Sequence, residues 1–250
     1  MKGIMDLVID VGNTNTSFGI FKAGKLIKSW DISTSKIVAG TNLKLKKVGF
    51  NKVIICSVVP KATRVLRARL NKKMNINPLI VGSNIKVPIG NLYRNPRQVG
   101  QDRLVNALAG LKIFGAPLII VDFGTAITFD AVSAKAEYVG GMIVPGLGIS
   151  LWALAARCAL LPQVRLSKPM ELIGRDTKNS ILSGLLNGFG CLCDGIILKL
   201  KKQFERAPIV VATGGNIELM RRFCKQIDKV DKYLTLKGLN FLTMGRFSVE

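Results

Sequence analysis

Two stretches of this chain combine carboxylates, hydroxyls and glycine at spacings that suit a phosphate-and-cation site. The first is Leu7-Val8-Ile9-Asp10-Val11-Gly12-Asn13-Thr14-Asn15-Thr16, followed by Ser17. The second is Ile119-Ile120-Val121-Asp122-Phe123-Gly124-Thr125-Ala126-Ile127-Thr128. In each, an apolar strand ends in a carboxylate, a small-residue turn follows, and a second strand begins; the Asp, the Gly and the last Thr recur at the same spacing. Backbone N–H groups of a tight turn can face an anion where no bulky Cβ intervenes. The carboxylate can hold a cation, or its water shell, beside the phosphates. Either stretch alone also reads as an ordinary β-hairpin, because Gly-Asn-Thr is good turn chemistry. The repetition favours the phosphate site.

Between them lies Tyr93-Arg94-Asn95-Pro96-Arg97-Gln98-Val99-Gly100-Gln101-Asp102-Arg103. Gly100 frees the backbone, and Asp102 begins a helix with Arg103 beside it. Asp102 reads as a helix N-cap. It also reads as a carboxylate that accepts a hydroxyl proton, with a guanidinium at hand for an anionic substrate, although spacing alone favours the cap. Asp176-Thr177 also precedes a helix, so Thr177 is a cap or a ligand contact. Thr213-Gly214-Gly215-Asn216 follows a strand and opens a helix, a position for nucleotide contacts or a plain helix-start turn. Ser180, Gly184, Gly188, Cys191 and Gly195 fall on one small-residue stripe of a helix, a candidate dimer interface.

Other chemistries are excluded. The chain has no histidine, which removes Ser-His-Asp and Cys-His catalysis and imidazole metal ligands. There is no G-x-x-x-x-G-K-[ST], and Gly146-Leu147-Gly148 lacks the third glycine of a dinucleotide fingerprint. The five cysteines, Cys56, Cys158, Cys191, Cys193 and Cys224, have no metal-ligand spacing and read as buried reduced thiols of a cytosolic protein. A net charge of +22 attracts anions generally. Its carriers are scattered through Lys44, Lys46 and Lys47, Arg64, Arg67 and Arg69, Lys199, Lys201 and Lys202, and Arg221 and Arg222, which favours a generally basic surface over a dedicated nucleic-acid face. Asp6 and Asp10 argue against a signal peptide. Met142–Leu161, broken by Pro145, four nearby glycines and Arg157, is expected to be strand, turn and buried helix rather than a membrane span.

The elements that must position these residues follow from periodicity and turn signals. Strands are expected at 5–11, 16–21, 25–32, 52–59 and 76–81, and helices at 60–72 and 102–114. A polar, lysine-bearing connector runs to Lys47, and 84–98 is a proline-rich loop. The second half repeats the theme with strands at 118–123, 126–132, 137–144 and 209–212. Its helices are expected at 149–160, 176–205 and 216–224, and a basic stretch closes the chain. With 48% hydrophobic residues the chain is a compact α/β protein. Two halves opening on the same hairpin imply two like domains, 1–115 and 116–250, facing across a cleft.

Set in order, these pieces are Asp10 to Thr16, Cys56-Ser-Val-Val-Pro60, Tyr93 through Asn95-Pro96 to Gly100-Gln-Asp-Arg103, and Asp122 to Thr128. Gly140-Gly-Met-Ile-Val-Pro-Gly146, Leu161-Pro162, Gly174 to Thr177, Thr213-Gly-Gly215 and Leu234 to Leu239 follow. In these motifs, nearly end to end, the chain resembles the type III pantothenate kinases of the actin, sugar-kinase and heat-shock-chaperone ATPase superfamily. The resemblance implies two ribonuclease-H-like (actin-like) domains with mixed sheets flanking a nucleotide cleft. It implies ATP-dependent phosphorylation of pantothenate, the first step towards coenzyme A, by a cytoplasmic homodimer.

By the same resemblance Asp10, Val11, Gly12, Asn13, Thr14, Asn15, Thr16, Ser17 and Thr125 meet ATP. Tyr93, Gly100, Gln101, Asp102 and Arg103 meet pantothenate, Thr177 arrives from the other subunit, and Asp102 is the general base. Asp122 holds a monovalent cation (K⁺ or NH₄⁺), and Mg²⁺ accompanies ATP. Two features depart from the family: a short lysine-rich connector stands where an acidic helix usually follows Thr34, and the basic charge is larger. The charge keeps open a non-catalytic, nucleic-acid-associated relative of the accessory transcription factor kind. A superfamily kinase for another small hydroxy acid is the other alternative.

Overall fold

The computed structural model describes residues 5–41 and 49–245. Lys44, Lys46 and Lys47, and with them most of the expected connector, lie outside the described residues, as does the end of the basic C-terminal stretch. The chain divides into two compact units, the first drawn from Met1–Ile89, Arg94–Lys112 and Tyr233–Glu250, the second from Gly90–Tyr93 and Ile113–Lys232.

In the first unit, β1 (Met5–Val11), β2 (Asn15–Lys22) and β3 (Lys25–Ser33) form an antiparallel meander. A short helix α1 (Thr34–Val38) opens the expected connector, with Ile37 fully buried. Then come β4 (Lys52–Ser57), α2 (Pro60–Met74), β5 (Leu79–Ile80) and α3 (Gln101–Phe114). The sheet order is β3-β2-β1-β4-β5, with β1, β4 and β5 parallel. The middle of β1, Leu7-Val8-Ile9, is an unbroken apolar run because both of its faces are covered. Leu7, Ile9 and Val11 join Phe18, Ile55, Leu66 and Leu70 on one face, and Val8 joins Ile54, Val105, Leu108 and Leu239 on the other. Pro60 takes the first turn of α2, where its missing N–H costs nothing. Ala62, Leu66 and Leu70, four apart, turn that helix inward.

The second unit holds β6 (Gly90–Asn91), β7 (Leu118–Phe123), β8 (Ala126–Val132), β9 (Glu137–Pro145), α4 (Leu147–Arg157), α5 (Thr177–Lys201), β10 (Ile209–Thr213), α6 (Ile217–Met220) and β11 (Lys229–Val230). Its sheet order is β11-β10-β7-β8-β9-β6. Read as β9-β8-β7-β10-β11, this is the order of the first sheet, with β6 added at the edge. The second core joins Ile119, Val121, Phe123 and Phe129 of the sheet to Leu151 of α4 and to Leu186, Cys193 and Ile197 of α5.

Several expectations are corrected. The loop 84–98 contains β6 and a single 3₁₀ turn, Pro96–Gln98. The strand at 76–81 shrinks to two residues, and the helix at 216–224 to four. Met142–Leu161 is, as expected, the end of β9 followed by α4, but only Leu147 and Leu151 of that helix are buried. By length and composition α5 is the described helix that could cross a membrane, yet its apolar face is spent on the second core. All five cysteines are free; Cys56, Cys193 and Cys224 are buried, whereas Cys158 and Cys191 are exposed.

The closing stretch is not merely basic. It forms α7 (Leu234–Met244), whose Leu234, Leu236, Leu239 and Leu242 are buried in the first unit. Thr243 Oγ1 donates to Asp6 Oδ2 at 3.1 Å, and Thr235 Oγ1 donates to Asn106 Oδ1 of α3 at 2.7 Å. α7 comes so close to α3 that a Cβ on Gly238 would lie 2.5 Å from the Val105 carbonyl oxygen. Gly238→Ala should therefore destabilise the fold by about 1–3 kcal/mol despite the better helix propensity of alanine, read as a lower denaturant midpoint at unchanged slope.

Candidate active site

The first turn is built by β1, β2 and α1. Gly12 N–H donates to Asn15 C=O at 3.0 Å, and Thr34 N–H donates to Thr14 C=O at 2.9 Å. Thr34 Oγ1 donates to Gly12 C=O at 2.7 Å and lies 3.0 Å from Thr16 Oγ1. Thr34 thus braces the turn from the far end of the meander, a role that nothing in its local sequence signals. Val11 and Thr16 are buried, and Ser17 Oγ donates to Asp31 Oδ1 at 2.6 Å. Asn13, Thr14 and Asn15 are the exposed members. The side-chain hydroxyls of Thr16 and Ser17 therefore hold the hairpin, and the backbone and tip are what remain for a ligand.

The spacing of the two hairpins matches, but their pairing does not. Asp10 faces Ser17 and Val11 faces Thr16 across the first, whereas Asp122 faces Thr128 and Phe123 faces Ile127 across the second. A loop shorter by one residue shifts the second threonine, because side chains alternate faces along a strand. Thr16 is buried at its turn; Thr128 instead donates to Asp130 Oδ2 at 3.0 Å.

Asp10 stands beside Cys56 of β4 in parallel register. Burial pushes the Cys56 thiol well above its usual range, and the negative charges of Asp10 and then Asp102 add to the effect. The first unit thus brings Asp10 and Asp102 within electrostatic reach of one buried thiol. Asp102 is not the N-cap: α3 begins at Gln101, which puts Asp102 in its first turn. Its Oδ1 accepts from Arg103 N–H at 2.9 Å, and the carboxylate folds over Gly100, occupying the space that a Cβ there would need. Burial raises the Asp102 carboxyl above the usual carboxylate range; the Arg103 N–H and then its guanidinium charge pull the other way. Arg103 is only 7% exposed. A half-buried carboxylate of raised pKa beside a fixed cation suits a general base acting on a hydroxyl near an anion.

In the second unit Asp122 stands at the penultimate position of β7, half-buried, and Thr125 is exposed at the hairpin tip. The carboxylate is cradled by glycine. A Cβ on Gly214 (φ +98°) would run into Asp122 Oδ1, and one on Gly124 would lie 3.4 Å from it. Asp122 is thus a carboxylate in a turn lined by backbone, and among the described residues no three His, Cys, Asp or Glu are grouped as a metal cage. Thr177 is the exposed first residue of α5; the cap is Asp176, which accepts from Asn179 N–H at 2.8 Å. The two hydrogen bonds from Asn179, the side-chain one first, hold the Asp176 carboxyl below its usual range. Tyr93 belongs to the second unit, where its ring packs near Tyr138.

Comparison with known proteins adds the family. The profile described as type III pantothenate kinase matches residues 6–199. A type III pantothenate kinase of Bacillus cytotoxicus is 39% identical over 249 residues, covering 95% of either chain. Among solved structures, one of Campylobacter jejuni described as a Baf family transcriptional activator superposes with a TM-score of 0.61 at 20% identity, over 95% of this chain and 97% of that one. The ethanolamine utilization protein EutJ of Carboxydothermus hydrogenoformans follows at 0.55 and 13%, over 97% and 91%. Component A of the (R)-2-hydroxyglutaryl-CoA dehydratase of Acidaminococcus fermentans gives 0.52 and 12%, over 95% of each. At these identities the likeness is one of fold, the actin-like fold. A profile spanning most of the chain and a relative alike over nearly its whole length make this chain a member of the type III pantothenate kinase family.

Proposed function

We propose that the protein phosphorylates pantothenate with ATP, the entry step of coenzyme A synthesis, with Asp102 as general base. The observation that carries the residue assignment is the half-buried Asp102 beside a buried Arg103, in the same electrostatic neighbourhood as Asp10. Asp102 takes the proton of the primary hydroxyl as that oxygen bonds to the γ-phosphorus, while the bridging P–O bond breaks and ADP leaves. The transition state is loose, so most of the work is positioning and charge neutralisation, which a chain without histidine can do.

Arg103 faces the acid end of the substrate, with Tyr93, Gly100 and Gln101 shaping its site. Asp10 to Ser17 offer the phosphates mainly backbone N–H groups, and Thr125 offers a hydroxyl. Asp122 would hold K⁺ or NH₄⁺ in its glycine cradle, and Mg²⁺ would travel with ATP; both ions neutralise phosphate charge. A cytoplasmic homodimer is part of the proposal. It is supported by large exposed apolar side chains on the second unit, among them Trp152, Leu160, Met170, Leu172 and Ile173 at 63–94% exposure. The stripe of Gly184, Gly188 and Gly195 on α5 has nothing within 4 Å of where their Cβ atoms would be, leaving room for a second helix and bringing Thr177 to a partner.

The decisive assay is ADP release from ATP plus pantothenate. Its absence, together with a salt-sensitive shift of random duplex DNA, would replace the proposal by the nucleic-acid reading; ADP formed only with another hydroxy acid would change the substrate. Asp102→Asn should lower kcat about 10²–10⁴-fold. The same substitution should not lower the melting temperature. The folded-state pKa is raised, so the stability tied to this group is full below the unfolded pKa and lost as pH rises through the folded one; at neutral pH the charge costs stability that asparagine restores. The acid limb of kcat/KM should fall at a pH above the ordinary aspartate range and vanish from the variant's residual rate. Exchanging potassium for sodium should lower kcat, and Asp122→Asn should make the enzyme indifferent to the exchange, checked in the same assay.

A further inference from the structure

We infer that Asp130 and Tyr138 are positioning residues for the acid substrate: together they form a footing that fixes the ring and backbone of Tyr93. The inference rests on the pantothenate-kinase reading and deepens its substrate site.

Asp130 of β8 is fully buried. A buried carboxylate is costly unless it is hydrogen-bonded. Its Oδ1 accepts from the Tyr138 hydroxyl at 2.8 Å and its Oδ2 from Thr128 Oγ1 at 3.0 Å. Tyr138, also fully buried, is thereby held at its hydroxyl end as well as by the strand it grows from. An apolar pair of the same volume would stabilise the sheet at least as well. What the polar pair adds is direction: one ring position satisfies both partners.

Tyr93 is referenced to that ring in several ways. β6, only two residues long, lies parallel to β9 with Asn91 opposite Tyr138. Leu92 N–H donates to the Tyr138 carbonyl at 2.9 Å. Tyr93 N–H donates to Asn91 Oδ1 at 3.1 Å. The two rings lie 6.4 Å apart, tilted by 43°. The ring edge of Tyr93 rests over Gly140 (φ +143°), where a Cβ would lie 3.6 Å from its Cδ2. A strand of two residues has too little ladder of its own to hold a side chain in place. The segment carrying Tyr93 therefore takes its position from Tyr138, and Tyr138 takes its own from Asp130. Loosening the pair displaces Tyr93 relative to the substrate while leaving the Asp10 turn and Asp102 untouched, so it acts on affinity for the acid rather than on ATP or on chemistry.

The test uses the full-length enzyme and two readouts, steady-state kinetics and calorimetric binding of pantothenate. Because Tyr138→Phe alone strands a buried carboxylate, the main variant is the double substitution Asp130→Leu with Tyr138→Phe, which removes both partners together. It should keep a cooperative melt, raise both the KM and the Kd for pantothenate about tenfold, and leave kcat and the KM for ATP within about twofold. Asp130→Asn, which still accepts from Tyr138, should restore the Kd to within about threefold of the parent. A folded double variant with unchanged pantothenate Kd overturns the inference, as does loss of kcat in parallel with thermal stability and no change in KM. Tyr93→Ala separates the two levels. If it leaves pantothenate binding unchanged, the placing of Tyr93 in the substrate site fails and the footing with it. If it weakens binding and the double variant does not, only the footing fails.

Discussion

A carboxylate cannot follow an apolar strand into a core without a partner, and in this protein that cost sets where chemistry can happen. β1 and β7 are the central strands of their sheets, covered on both faces by aliphatic residues. Each carries an aspartate at its penultimate residue, Asp10 or Asp122, just before a turn begins. The strands are buried along their middles, and these two carboxylates sit half-buried near their ends. The same sheet order in both units repeats this arrangement and gives two acidic turns on the same architectural footing.

The helices supply what the strands lack. α3 delivers Asp102 and Arg103 to the end of the first sheet, and its placement depends on α7, which crosses it at Gly238 and ties to it through Thr235 and Asn106. Asp102 is thus anchored by a segment more than a hundred residues away in the chain. Burial that raises the Asp102 pKa lies on the same causal line: a helix packed on the sheet takes water from its first turn, and a drier carboxylate is a stronger base.

Much of this was legible beforehand. Strand boundaries at 5–11, 118–123 and 126–132 agree with the structure because apolar runs, turn residues and burial all point the same way there. Errors fell where local signals are weak or outvoted. α1 and α7 carry no strong caps, and their place comes from Ile37 and four leucines finding a core elsewhere in the chain. β6 has no propensity worth reading and exists because Tyr138 offers it a carbonyl. The Asp130–Tyr138 pair went unread, since eight positions of separation mean nothing until β8 and β9 fold back on each other.

Residue types alone therefore determined the chemistry available here: no imidazole, no P-loop, two carboxylate-ended turns, and one Gly-x-Asp-Arg with a carboxylate and a guanidinium side by side. These are local facts, set by what each side chain can protonate, donate or coordinate. Only the tertiary structure decided which of those groups are tuned and how they are held, because pKa, bracing and close approach depend on neighbours distant in sequence. Cys56 between two acids, Thr34 behind the first turn, and glycine against Asp122 are all products of long-range packing, and packing is written in no single stretch of the chain.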